Sequence, residues 1–191
     1  MNVGVGRFDP LVGYGLECVL GMDPNIRVVD WNPAKPAAPT NQDLPRVVIV
    51  AETADCSARR KLIESGGIVM LVRAPTVACG MVLMEAGVSC LALSATAEDV
   101  LAAVRVAAVG GCLFVDAAGD RVERQNRRER LLTDREVDVL RRLAGGMSYG
   151  EIADEFEIGV ATVSKHARSL IGKLRASSRR ELAGLPTKWL S

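Results

Sequence analysis

The last third of the chain starts a helix three times in the same way. In Leu132-Thr133-Asp134-Arg135-Glu136-Val137, Thr133 can cap the backbone while Glu136 reaches back to it, and Leu132 and Val137 can close a hydrophobic staple around the pair. Met147, Ser148, Glu151 and Ile152 repeat the pattern, and Ser178-Arg179-Arg180-Glu181 offers a third capping box. Gly145-Gly146 ends the first helix, and Glu157-Ile158-Gly159 makes the turn before a longer one, Val160 to about Leu174. A segment punctuated so closely is restricted to short helices packed on one another's apolar stripes.

The longer helix carries the functional signal. Val163, Ala167, Leu170, Ile171 and Leu174 recur at spacings of three and four and should pack on Val139, Leu140, Leu143, Ile152 and Phe156. Ser164, Lys165, Arg168 and Lys173 are then left facing outward. A helix held by its apolar side, with hydroxyl and basic groups on the other, suits insertion into the major groove of DNA. Such a face taken alone is more often plain solvated surface; the preceding helix and short turn are what favour a reader.

The run LTDREVDVLRRLAGGMSYGEIADEFEIGVATVSKHARSLIGKL resembles the LuxR-type helix-turn-helix of the NarL/FixJ response regulators. It shares the L-T-x-R-E start, the E-I-A of the second helix and the T-V-x-x-H of the recognition helix. The resemblance implies that Ser164, Lys165 and Arg168 face the bases. It also implies phosphate contacts from Thr162, Lys173, Ser148 and Arg175, which position a domain without specifying sequence. Two positions depart from the family: Ser164 stands where lysine is usual, and Gly159 where serine usually caps. His166, the only histidine, is expected to be structural or phosphate-facing.

The first part of the chain alternates strand-like with helix-like runs. Asn2–Gly6, Ile26–Trp31, Arg46–Val50, Ile68–Val72 and Cys90–Leu93 read as strands; Leu11–Leu20, Cys79–Ala86 and a segment beginning after Thr96 read as helices. The proline-bearing stretch Asn32–Asp43 reads as a loop. Alternation of this kind implies a parallel, doubly wound sheet. The expected fold is therefore an α/β receiver-like domain with a flavodoxin-like, five-stranded parallel sheet over residues 1–116, a charged linker over 117–131, and an all-α, four-helix LuxR-type domain over 132–191.

Residues 3–12 and 85–93 resemble the start and the fifth-strand region of a receiver. That resemblance implies a phosphoacceptor aspartate, an acidic pair for Mg²⁺, a Ser/Thr and a lysine. At those positions the chain has Ala51, the pair Arg7 and Phe8, Val72 and Ser94. A slip of one in the alignment would offer Asp9, Glu52 or Asp55 instead. The expected pocket is thus degenerate, and control would pass to dimerisation, a small ligand or a protein partner.

Charge agrees with two functions in one chain. Residues 1–120 hold 9 Lys+Arg against 13 Asp+Glu, and residues 121–191 hold 15 against 10, so the basic excess sits with the helical part. The longest apolar stretch, Val100–Val115, falls short of the ~20 residues of a membrane span. No signal peptide is expected from MNVGVGRFDP. Five widely spaced cysteines without a C-x-x-C pair suit a reducing, cytoplasmic setting, with no metal and no cofactor expected. No phosphate-cradling glycine loop or nucleophile–base pair is present, so an enzyme is not expected. The readings carried forward are a regulator binding a two-fold related site on double-stranded DNA as a homodimer, and a heterodimerising partner that modulates another regulator.

Overall fold

The computed structural model describes residues 1–31, 45–52, 66–125 and 130–190. The loop expected at Asn32–Asp43, and Asp55, lie outside these. Seven strands form one sheet in the order β2-β1-β3-β4-β5-β6-β7. They are β1 (Asn2–Val5), β2 (Arg27–Asp30), β3 (Val47–Ala51), β4 (Gly67–Val72), β5 (Val88–Ala92), β6 (Cys112–Val115) and β7 (Arg121–Arg124). The first six run parallel, and β7 returns antiparallel on β6.

Among the described residues, three helices cover the sheet: α1 (Pro10–Gly21), α2 (Val77–Glu85) and α3 (Ala97–Ala108). Strands covered on both faces read as unbroken apolar runs. Val3, Val47, Ile49, Val69, Leu71 and Leu91 pack on one face with Leu16 and Leu20 of α1 and Val100, Ala103, Val104 and Ala107 of α3. Val48, Val50, Ile68, Met70, Cys90 and Phe114 pack on the other with Leu83 and Met84 of α2. Gly80 permits this second contact, since a Cβ there would lie 2.2 Å from the Phe114 ring.

Two expectations need correction. The parallel sheet has six parallel strands and an antiparallel edge strand, not five in all. Cys112–Val115 had been absorbed into one long apolar run, and it is a strand of its own. Residues 121–124, expected inside a linker, pair with it. The chain reverses because Asp116 Oδ1 accepts the amides of Ala118 (2.8 Å) and Asp120 (2.9 Å), with Gly119 at φ +88°. Period-two alternation in Arg-Val-Glu-Arg, three of its four residues charged, gave little sign of a strand.

The C-terminal part contains α4 (Asp134–Ala144), α5 (Tyr149–Glu155), α6 (Val160–Leu174), α7 (Arg179–Ala183) and a final 3-10 turn (Thr187–Leu190). Both full capping boxes form, Thr133 with Glu136 and Ser148 with Glu151. The third forms only in part: Ser178 accepts the Glu181 amide, but the Glu181 carboxylate turns to the amide and hydroxyl of Ser177 at 2.7 and 2.8 Å. Gly146 takes the left-handed conformation, φ +88°, that releases the chain from α4. Ala78 and Val82 of α2 are buried in the same apolar cluster as Leu140, Leu170 and Leu174, so the sheet domain and the helical domain share a packed boundary. Buried Glu85, at the end of α2, ties that boundary to the chain entering α4. It pairs with Arg124 (3.2 Å) and Arg130 (3.6 Å) and accepts the Leu131 amide (2.8 Å). No helix among the described residues is long and apolar enough to cross a membrane.

Candidate nucleic-acid interface

Helix α6 is fixed from below. Val163, Ala167, Leu170 and Leu174 are buried against Val139, Leu140, Leu143 and Ile152, with Phe156 and Ile171 partly buried beside them, as their spacing required. The turn before α6 is clamped by arginines: the Arg135 guanidinium lies 4.0 Å and the Arg142 guanidinium 5.3 Å from the Phe156 ring centre, and Arg142 also pairs with Glu155 at 2.6 Å. Glu157, in the turn, adopts φ +53°.

Beneath α6 lies one charged group. Glu136 is 5% exposed, and its carboxylate accepts from the Thr133 amide (2.8 Å) and hydroxyl (3.1 Å), the Ser169 hydroxyl (2.7 Å) and the Lys173 ammonium (2.7 Å). Burial pushes this carboxyl up, but the hydrogen bonds from Lys173, Thr133 and Ser169 outweigh it and hold the pKa at about 2. One side chain therefore caps α4 and fastens the middle of α6.

The side chains expected on the outer face of α6 divide in their exposure. Thr162, Lys165, Arg168 and Arg175 are exposed, and Ser164 and His166 are half-buried. Lys173 does not stand outward: its ammonium is held by Glu136, because the two lie one above the other across α4 and α6. Arg175 ends the helix in the left-handed conformation, φ +53°. Gly159 is the N-cap and offers no side-chain bond, and the first turn holds no acidic residue, so the positive end of the helix is unopposed there. Ser148 is exposed, and its oxygen accepts the Glu151 amide at 3.3 Å, leaving the hydroxyl proton to donate. The sequence reading passed over Arg179. It lies 4.2 Å over the Tyr149 ring and donates to the Met147 carbonyl at 3.4 Å, which sets a cation beside Ser148. Its place inside a capping-box pattern had disguised it.

In the sheet domain, parallel strands bring Arg7 and Phe8, Ala51, Val72 and Ser94 to the C-terminal ends of β1, β3, β4 and β5. Arg7 and Phe8 line an open cavity of about 720 Å³ with Tyr14, Glu17 and Val28. Among the described residues no three His, Cys, Asp or Glu converge. Asp9 caps α1 through the Leu11 amide (3.0 Å), and Glu52 accepts the Arg73 amide (3.2 Å). Arg7, Phe8, Ala51, Val72 and Ser94 themselves offer no carboxylate oxygen of the kind that holds Mg²⁺.

The chain thus joins a helix-turn-helix module to a largely parallel sheet. Residues 130–185 match the bacterial regulatory proteins of the luxR family. The chain is 39% identical over 87 residues to the transcriptional regulatory protein UhpA of Escherichia coli K12, covering 45% of this chain and 43% of that protein. It is 39% identical over 93 residues to the nitrate/nitrite response regulator protein NarP of the same organism, covering 43% and 41%. These matches span less than half the length of either relative. RcsB of Salmonella enterica serovar Typhimurium, solved bound to promoter rprA, shares the fold along the whole chain: TM-score 0.56 at 20% identity, covering 100% of this chain and 98% of that one. A second RcsB–DNA complex gives 0.53 at 19%, covering 96% of each chain. Residues 130–185 are thus a LuxR-type domain, and the chain as a whole shares its fold with RcsB.

Proposed function

We propose that this protein is a transcriptional regulator that reads a two-fold related site on double-stranded DNA through α6, and that it does so without phosphorylation of an aspartate. The observation carrying the reading is the division of α6 into two faces: four buried apolar residues fastened to α4 and α5, and an exposed face bearing Lys165 and Arg168. Both cations can donate to guanine O6 and N7, and half-buried Ser164 lies one helical turn before Arg168. Thr162, Ser148, Arg175 and Arg179 would meet phosphates, as would the unopposed N-terminus of α6. That UhpA and NarP are regulators, and that RcsB has been solved on promoter DNA, supports the same reading.

Arg7, Phe8 and Ala51 at the strand ends support the second half of the proposal, since they supply neither phosphoacceptor nor metal ligands. Residues 1–124 would then serve as an assembly and input domain, and the 720 Å³ cavity beside Arg7 would take a small ligand. Lys165→Ala and Arg168→Ala test the reader: each should weaken binding to the preferred site by ~1–3 kcal/mol, about 5- to 150-fold, and relax preference at one base position. Variants that footprint like the parent would refute the assignment of α6. Binding that appears only when a second regulator is added would favour the heterodimer reading.

A further inference from the structure

Among the described residues, β7 is the edge strand on one side of the sheet. It pairs with β6 through Cys112 and Arg124, Leu113 and Glu123, Phe114 and Val122, and Val115 and Arg121, and no described strand lies beyond it. Antiparallel ladders alternate hydrogen-bonded with non-hydrogen-bonded pairs. The Asp116 amide donates to the Asp120 carbonyl at 3.1 Å, which fixes the phase. Val122 and Arg124 turn their backbone groups inward to β6; Arg121 and Glu123 turn theirs outward. Both outward residues are exposed.

A strand edge with free N–H and C=O groups is a template for another strand. For two copies related by a two-fold axis, outward residues must oppose outward residues, so the axis can fall at Arg121, Val122 or Glu123. With Arg121 on the axis, guanidinium meets guanidinium. With Glu123 on it, carboxylate meets carboxylate. With Val122 on it, each Arg121 stands opposite Glu123 of the second copy and the two valines meet. Opposite charges across a strand pair stabilise it and like charges oppose it, so one register of the three is selected. An edge blunted by charge of a single sign would repel a copy in all three. Arg121 is already steadied by buried Asp99, at 2.6 Å, while Glu123 forms no ion pair among the described residues.

We propose that β7 is a homodimerisation edge: two copies join their sheets antiparallel through Arg121–Arg124, with Val122 on the two-fold axis and Arg121 of each copy against Glu123 of the other. The position suits the chain. β7 ends at Arg124 and α4 begins at Asp134, so Val122 on the axis lies twelve residues from each helical domain, at most about 43 Å of extended chain. Half-sites one turn of DNA apart, ~34 Å, are then within reach of both reading helices. This last consequence rests on the DNA-binding reading; the pairing itself does not.

The test is sedimentation of the full chain in low salt, without DNA, across a concentration series. Four-residue pairing is small beside the ~1,000 Å² of a stable interface, so the association is expected to be weak and to rise with concentration. Glu123→Arg and Arg121→Glu should each weaken it at least tenfold, and Glu123→Pro, which removes only an outward N–H, should do the same. An equimolar mixture of Glu123→Arg with Arg121→Glu should dimerise again, because every residue across the axis then meets the opposite charge; a merely misfolded variant is not rescued by mixing. A parent that stays monomeric, single variants that associate like the parent, or a mixture that stays monomeric would each overturn the proposal. Dimerisation without any DNA preference would instead leave the edge intact and refute the regulator reading.

Discussion

Replacing Glu136 by Gln keeps the shape of the side chain and removes its charge, and the structure sets the cost. Folding lowers this carboxyl from 4.5 to about 2, which at 1.36 kcal/mol per pKa unit is worth about 3 kcal/mol at neutral pH. Summing its charged hydrogen bonds at ~1.5–3 kcal/mol each would give more, but that sum omits the cost of burying the carboxylate. Lys173, 34% exposed, can swing to water once its partner is neutral, so we expect Glu136→Gln to lose about 2–3 kcal/mol. Because the folded pKa is depressed, the stabilisation is complete above pH 4.5 and fades as pH falls towards 2. The gap between parent and variant should therefore be constant from pH 7 to 5 and more than half gone at pH 3. Urea unfolding of the full chain, read by hydrogen exchange of peptides from α4 and α6, measures that gap. A loss under 1 kcal/mol, or a gap unchanged between pH 5 and 3, would refute the role given to Glu136.

Gly159→Ser should stabilise the helical domain by a few tenths of a kcal/mol, since the N-cap lacks a side-chain bond and a Cβ there meets only Thr162 Oγ1 at 4.0 Å; thermal unfolding measures it. Incubation with a small phosphodonor and Mg²⁺ should leave the intact mass unchanged, and a gain of one phosphoryl group would show that the strand-end residues had been misread.

The helical domain was legible almost residue by residue, because capping chemistry and a 3.6-residue apolar period both act locally. Thr133, Ser148, Val163 and Leu170 do what their spacing implied. The places where reading failed are those decided by distant parts of the chain. Lys173 looked like an outward cation because nothing near it in sequence shows that Glu136, 37 positions earlier, lies beneath it. Glu181 had a choice of amides and took the one at Ser177. Strand β7 was missed because its pattern is charged and its partner, β6, was hidden inside an apolar run. Ala51 and Val72 were legible as strand ends, since each closes a run of apolar residues. The contact of Ala78 and Val82 with the helical core could not be read from either segment alone.

Selection of bound sequences from a random DNA library, using the full purified chain with no phosphodonor, tests the central claim most directly. We expect enrichment of a two-fold related motif that is the same with and without a phosphodonor, and that is lost in the Lys165→Ala, Arg168→Ala double variant. No enriched motif, or one that appears only after phosphorylation, would contradict the account.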